Sequence, residues 1–317
     1  MLREHSRTQN KLKEDLGPLV LSALRDDEIF EVLLNSDGNL WVDGYNGKRE
    51  YGQMSASDAK NLINTVASVS DELVTAKCPT FGGELWVDLD GEFKLFRFQA
   101  MIPPVVTSPA FAIRKRAGRV ISLKEFVHDE IITHEQQEVL LEAVEQRRSI
   151  LVIGGTQSGK TTFCNAILDA IAKIHPEDRV IIIEDTQELK CNVNDCQTMR
   201  SSPFVSMNDL LFVSMRLRPD RIIIGEVRGK EAHSLVKAWN TGHPGGVSTI
   251  HANSAESGLL RLEQLIMEAG VAPVPQAIAE AINVLVYIQK KVGTKKGRRV
   301  TSILKLKGYS EKGYRFE

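Results

Sequence analysis

The sequence has no excess charge of either sign, few aromatics and no long apolar run. Its 317 residues carry 40 Lys and Arg against 41 Asp and Glu, a formal net charge of −1. Without a basic field to gather phosphates, specific nucleic-acid binding is not expected. Apolar runs such as Ile222-Ile223-Ile224 are far shorter than the about 20 residues a helix needs to cross a bilayer. The opening Met1-Leu2-Arg3-Glu4-His5-Ser6 lacks the apolar core of a secretory signal. Only four cysteines occur, Cys78, Cys164, Cys191 and Cys196, unevenly scattered. Cys191 and Cys196 have no second pair to close a zinc site, and nothing suggests a disulfide framework. They read as free thiols in a reducing cytoplasm.

What is present is globular: 42% hydrophobic and 26% charged, in a chain long enough for two domains of ordinary size. The densest local signal is Gly154-Gly155-Thr156-Gln157-Ser158-Gly159-Lys160-Thr161, with Thr162 behind it. The spacing matches a phosphate loop: a Gly, four open positions, then Gly-Lys-Thr. Ser149–Ile153 before it is a short β-branched run that reads as a buried strand, and 161–171 carries apolar residues at helical spacing. Strand, glycine loop and helix start aim several backbone N–H groups at one anion. Gly154 and Gly159 supply the backbone freedom, Lys160 would reach the β- and γ-phosphates, and the Thr161 hydroxyl would ligate Mg²⁺. The stretch predicts a site for ATP with Mg²⁺, formed by Gly154 to Thr162.

Around that loop the pattern divides. Residues 8–24 predict an amphipathic helix, 29–34 and 39–43 two strands, and 57–70 a helix with Ala59, Leu62, Ile63, Val66 and Ala67 on one face. Strands follow at 84–89, 93–100 and 110–115, giving a small α+β domain on an antiparallel sheet over residues 1–120. A linker is expected at 121–132. Thr133 and Gln136 then form a capping box that opens a second domain, 133–317. There, strands at 150–153, 180–184, 221–225 and 247–250 alternate with helices at 160–173, 206–216, 229–241 and 254–268. The expectation is an α/β fold with a mainly parallel sheet wrapped by helices. Two antiparallel strands, 284–289 and 300–307, would close it. The basic segment between them, Lys290 to Arg299, suits a solvated hairpin loop or a contact with anionic lipid or an acidic partner.

Three clusters narrow the chemistry. Glu184-Asp185-Thr186-Gln187-Glu188 places carboxylates at the C-terminal end of a predicted parallel strand, where ligands of open α/β sheets collect. Ile222-Ile223-Ile224-Gly225-Glu226 is a buried strand ending in an acid, with Gly225 at the position where Walker B usually has Asp. Glu226 is the candidate to polarise the attacking water or to hold water-coordinated Mg²⁺. His251, after a β-rich run, suits either a hydrogen-bond donor near the γ-phosphate or a cap on the following helix.

In this order the four clusters resemble the secretion-ATPase superfamily of type II secretion, type IV secretion and type IV pilus motors. Met215-Arg216…Pro219-Asp220 and Gly225-Glu226-Val227-Arg228-Gly229 are close to its signature, and 225–233 with 237–246 look most like TrbB-like conjugal-transfer ATPases and their Vir-type relatives. The resemblance implies a RecA-like P-loop domain behind the N-terminal domain and ATP hydrolysis with Mg²⁺. It implies an Asp box at Glu184–Glu188, organising the metal side with Glu184 acting directly or through water, and a His box ending at His251. It also implies that arginines of the first domain, Arg97 and Arg114, approach the γ-phosphate. A homohexameric ring is implied, cytoplasmic and peripheral at the inner membrane beside type IV secretion components. Two other readings stay open: a pilus or type II secretion motor, and a nucleotide switch that binds ATP without cycling. Gln157 departs from the family, which often has Gly there.

Overall fold

The computed structural model describes residues 2–44, 47–115, 120–202 and 204–317, with side chains from residue 7 onward. They divide into two compact units, Met1–Gly118 and Arg119–Glu317.

The first unit holds a six-stranded antiparallel sheet. Its strands are β1 (Ile29–Leu34), β2 (Asn39–Gly44), β3 (Arg49–Gln53), β4 (Thr80–Leu89), β5 (Glu92–Met101) and β6 (Ala110–Lys115), in the order β3-β2-β1-β6-β5-β4. Helices α1 (Leu2–Arg25) and α2 (Ala56–Val69) pack on it. The expected face of α2 is the buried one, with Ala59, Leu62, Ile63, Val66 and Ala67 in the core. The helix expected at 8–24 is broken at Gly17, which has φ 67° and ψ 169°. Pro18 explains the break: it lacks an N–H and disfavours helical geometry in the residue before it.

The second unit is built on an eight-stranded sheet of β7 (Ile150–Ile153), β8 (Arg179–Glu184), β9 (Asp195–Arg200), β10 (Arg221–Ile224), β11 (Val247–Ile250), β12 (Val284–Lys290), β13 (Arg298–Ser310) and β14 (Gly313–Phe316). The order is β14-β13-β12-β7-β11-β10-β8-β9. From β12 to β9 every pairing is parallel, whereas β13 and β14 add antiparallel strands at one edge. Helices α3 (Leu123–His128), α4 (His134–Glu145), α5 (Lys160–Ile174), α6 (Met207–Ser214), α7 (Glu231–Asn240), α8 (Ala255–Glu268) and α9 (Pro275–Ala281) accompany it. Successive β7 residues enter opposite cores, Ile150 and Val152 one, Leu151 and Ile153 the other. Burial on both faces is why the run is apolar throughout rather than alternating.

Residues 121–132, expected to link two domains, contain α3, and Leu123, Phe126, Ile131 and Ile132 are buried in the second unit's core. Phe126 meets Phe163 of α5 edge-on at 5.2 Å. The sequence pattern missed β9, whose polar residues form an exposed edge, as well as β3, α9 and β14.

At the N-terminal end of β10, Arg221 is 0% exposed. Its Nε donates to Asp178 Oδ2 at 2.6 Å, and its Nη1 and Nη2 donate to the carbonyls of Gly245 (2.9 Å) and Val144 (3.2 Å). Arg147 donates to the other Asp178 oxygen. Asp178→Ala strands a buried guanidinium, so urea denaturation is expected to show a loss of about 3–5 kcal/mol.

Candidate active site

Parallel strands bring their C-terminal ends to one edge of the sheet. There β7 ends at the phosphate loop, β8 at Glu184, β10 just before Glu226 and β11 just before His251. The loop curls tightly. Ser158 N–H donates back to the Gly155 carbonyl at 3.3 Å. A Cβ on Gly154 would lie 2.3 Å from the Ile288 carbonyl, because β12 runs alongside β7, so only glycine fits. Gly159 caps α5 in a left-handed conformation, φ 99°. The first turn of α5 closes with Phe163 N–H donating to the Gly159 carbonyl, which sets the N–H groups of Lys160, Thr161 and Thr162 at the helix's N-terminal end. Such donors suit an anion.

Lys160 is buried, 8% exposed. Its ammonium donates to the carbonyls of Gly154 (3.0 Å) and Gly155 (2.9 Å) and lies 3.2 Å from His251 Nδ1. The ammonium is also 3.5 Å from His251 Nε2, and that nitrogen lies 2.6 Å from Glu226 Oε1. The ammonium stands close to both ring nitrogens, so Lys160 sits against the ring itself, and the same ring is in contact with the Glu226 carboxylate. Desolvation and the Lys160 charge hold the His251 pKa below its ordinary value, against the opposite pull of Glu226. A neutral ring therefore touches both the phosphate-loop lysine and the acid that follows β10.

The other Glu226 oxygen accepts from Arg228 Nη2, and Arg228 Nη1 donates to Asp185 at 2.7 Å. Arg228 is the site residue that sequence reasoning passed over. Its signal was its place two residues after Glu226, opposite an acidic cluster. Glu184 is 3% exposed, and its Oε1 accepts the backbone N–H groups of Glu188 and Leu189, each at 3.0 Å. It braces the 185–189 loop. The loop is tied again through Asn165 of α5, which donates to the Glu188 carbonyl at 3.3 Å and accepts from Lys190 N–H at 2.7 Å.

The Gly at the usual Walker B acid position has a steric cause. A Cβ on Gly225 would come 2.9 Å from Glu184 Cγ and 3.2 Å from its Oε1. The neighbouring strand already supplies a carboxylate to that space. Gln157 likewise shows why glycine is common at its position: its φ is 58°, in the left-handed region. Its side chain compensates by accepting from Lys290 Nζ at 2.9 Å.

Arg97 and Arg114 lie in the first unit, directly opposite each other on β5 and β6 and exposed. Glu84 flanks Arg97 and Glu31 flanks Arg114, so one row runs acid, base, base, acid across four strands, the glutamates half-buried and the arginines exposed.

A glycine loop at the head of a parallel sheet, with acids and a histidine ending the adjacent strands, defines a P-loop protein of the α/β class. The chain belongs to the Type II/IV secretion system protein family, whose profile matches residues 25–309. It is 42% identical over 317 residues to the probable conjugal transfer protein TrbB of Sinorhizobium fredii, covering 100% of this chain and 95% of that protein. It is 28% identical over 289 residues to the type IV secretion system protein VirB11 of Bartonella henselae, covering 78% of each. Among solved structures, the ATPase DotB of Legionella pneumophila superposes with a TM-score of 0.66 over 88% of this chain and 76% of that one. At 17% identity that is a likeness of fold.

Two outcomes follow from this geometry. Gly225→Ala forces Glu184 aside and is expected to lower stability by about 1–3 kcal/mol in thermal or urea unfolding. His251 titrates lower folded than unfolded, so the unfolded chain binds more protons in the window between those two values. The histidine's contribution is fully present above about pH 6.5 and is lost as pH falls through the folded-state pKa. Unfolding midpoints followed from neutral to acid pH should fall less steeply for His251→Gln than for the parent. Parallel curves would show that the ring does not titrate this way.

Proposed function

We propose that this chain is an ATPase of conjugative type IV secretion, working as a homohexameric ring on the cytoplasmic side of the inner membrane. In this reading it powers assembly of, or transfer through, the secretion apparatus. The observation that carries the proposal is the close contact of His251 with both Lys160 and Glu226 at the mouth of a glycine loop. It couples the group that would meet the phosphates to the group that would handle water.

The residues fit a nucleoside triphosphate. Gly154, Gly155, Thr156, Gln157, Ser158 and Gly159 form the cradle, and Lys160, Thr161 and Thr162 contribute first-turn N–H groups. Mg²⁺ fits the Thr161 hydroxyl in company with phosphates and water. No cluster of three or more metal-ligating side chains occurs among the described residues, which accords with an ion that keeps much of its hydration. Bound there, Mg²⁺ would neutralise charge on the β- and γ-phosphates. Glu184, through water, and Glu188 would organise that side.

Arrival of a triphosphate offers Lys160 better acceptors than two loop carbonyls. Its departure from His251 leaves the ring beside Glu226 and able to report on the γ-phosphate. Glu226 would then orient the attacking water, with Arg228 holding the carboxylate in place. Arg97 and Arg114 are the proposed source of further positive charge at the γ-phosphate, arriving with domain closure or ring assembly. No helix among the described residues is long and apolar enough to cross a membrane, so membrane association in this proposal is peripheral.

Steady-state phosphate release tests the proposal. Lys160→Ala should lower turnover by about a hundredfold or more, and Glu226→Gln should do likewise while retaining ATP binding. Specific activity should rise with protein concentration as a hexamer-sized species forms. A well-folded parent that binds ATP and never turns it over would replace the motor with a switch.

A further inference from the structure

The hairpin between β12 and β13 carries the sequence Lys290-Lys291-Val292-Gly293-Thr294-Lys295-Lys296-Gly297-Arg298-Arg299, with no acid in it. Lys290 and Arg298 are cross-strand partners, directly opposite each other at its base. Two like charges in that register repel, so the pairing is unfavourable unless an anion or acceptor lies between or beneath them. Both side chains reach the phosphate loop. Lys290 Nζ donates to Gln157 Oε1 at 2.9 Å. Arg298 Nη1 lies only 2.8 Å from where a Cβ on Gly159 would stand, and its Cδ 3.3 Å away. The guanidinium therefore rests against the glycine whose turn starts α5.

Strand order fixes which end of a bound nucleotide these cations would meet. His251 and Glu226 follow β11 and β10, on one side of β7. The hairpin joins β12 and β13, on the other. A nucleotide whose γ-phosphate faces Glu226 presents its earlier phosphates to the hairpin side. Building on the nucleotide-binding proposal above, we infer that Arg298, assisted by Lys290, binds the non-reacting phosphates of a nucleoside di- or triphosphate. Arg298 is thus a binding residue that acts on affinity for ATP and ADP alike, in contrast to Lys160, His251 and Glu226. An arginine suits this task because its planar fork presents several donors to phosphate oxygens at once. The same geometry gives the basic hairpin a job inside its own unit, where composition alone suggested a solvated loop or a lipid contact.

The test uses the full chain, with ADP binding by calorimetry and ATP turnover across substrate concentrations for the parent, Arg298→Ala, Arg298→Gln and Arg298→Lys. Arg298→Ala and Arg298→Gln should weaken ADP binding and raise KM for ATP by on the order of tenfold, with kcat changing far less. Arg298→Lys should fall between them and the parent, because it keeps charge and loses the fork. The thermal midpoint without nucleotide should stay near the parental value, while the rise produced by saturating ADP shrinks. That comparison holds even for a variant of reduced activity, and Arg298→Gln keeps most of the packing if the alanine variant folds poorly. ADP affinity unchanged in both neutral variants overturns the inference and leaves the function proposed above standing. A loss of kcat with ADP affinity intact also overturns it, by moving Arg298 to the reacting end. If the parent itself binds neither ADP nor ATP, the nucleotide reading fails and this inference falls with it.

Discussion

A buried ammonium must be surrounded by acceptors, and the architecture of the second unit is arranged to provide them for Lys160. Two of the acceptors are carbonyls of its own loop, which face inward because glycine backbones allow the loop to curl. The third is a histidine from a strand 91 residues later in sequence. That histidine reaches the spot only because β11 lies next to β7 in the sheet. The parallel arrangement is therefore more than a scaffold: it turns distance along the chain into contact at one edge.

The same edge explains the exchange of roles between neighbouring strands. β10 delivers Glu226 to His251 and Arg228 but has Gly225 one step earlier, because the Glu184 carboxyl from β8 fills the space a side chain there would need. Glu184 in turn spends one oxygen on two backbone N–H groups and so fixes the acidic turn that carries Asp185 to Arg228. Removing bulk at one position and adding a carboxylate at the other are coupled choices. Read alone, the glycine looks like a lost acid. Set beside Glu184, it is a condition for close approach.

Much of this was legible in the sequence because its signals are local. A glycine loop between a buried strand and an amphipathic helix needs only about twenty residues of context, and the alternation of apolar strands with helices names the fold class. Positions within the loop were less legible. Gln157 looked like a tolerated departure, whereas its left-handed backbone and its tie to Lys290 bind it to a hairpin 133 residues away. Arg228 was hidden for a similar reason, since its partners Asp185 and Glu226 come from two strands whose adjacency no local pattern states. The polar edge strand β9 escaped notice because an exposed edge has no apolar face to announce it.

Charge accounting then bears on how the site would be completed. Arg228 sits between Asp185 and Glu226, so its positive charge is already answered by two carboxylates. Moving it to a γ-phosphate would unpair both and release the acid proposed to orient water. Lys160 lies at the loop, and Arg298 and Lys290 lie on the side of β7 away from Glu226. Under the proposed function, charge developing at the γ-phosphate is best met by a cation from outside this set. Arg97 and Arg114 suit that part because each is exposed and the two stand directly opposite each other on adjacent strands. A cation supplied from a separate folded unit makes turnover depend on how that unit is placed. Under the proposed function, this dependence would let hydrolysis be converted into movement.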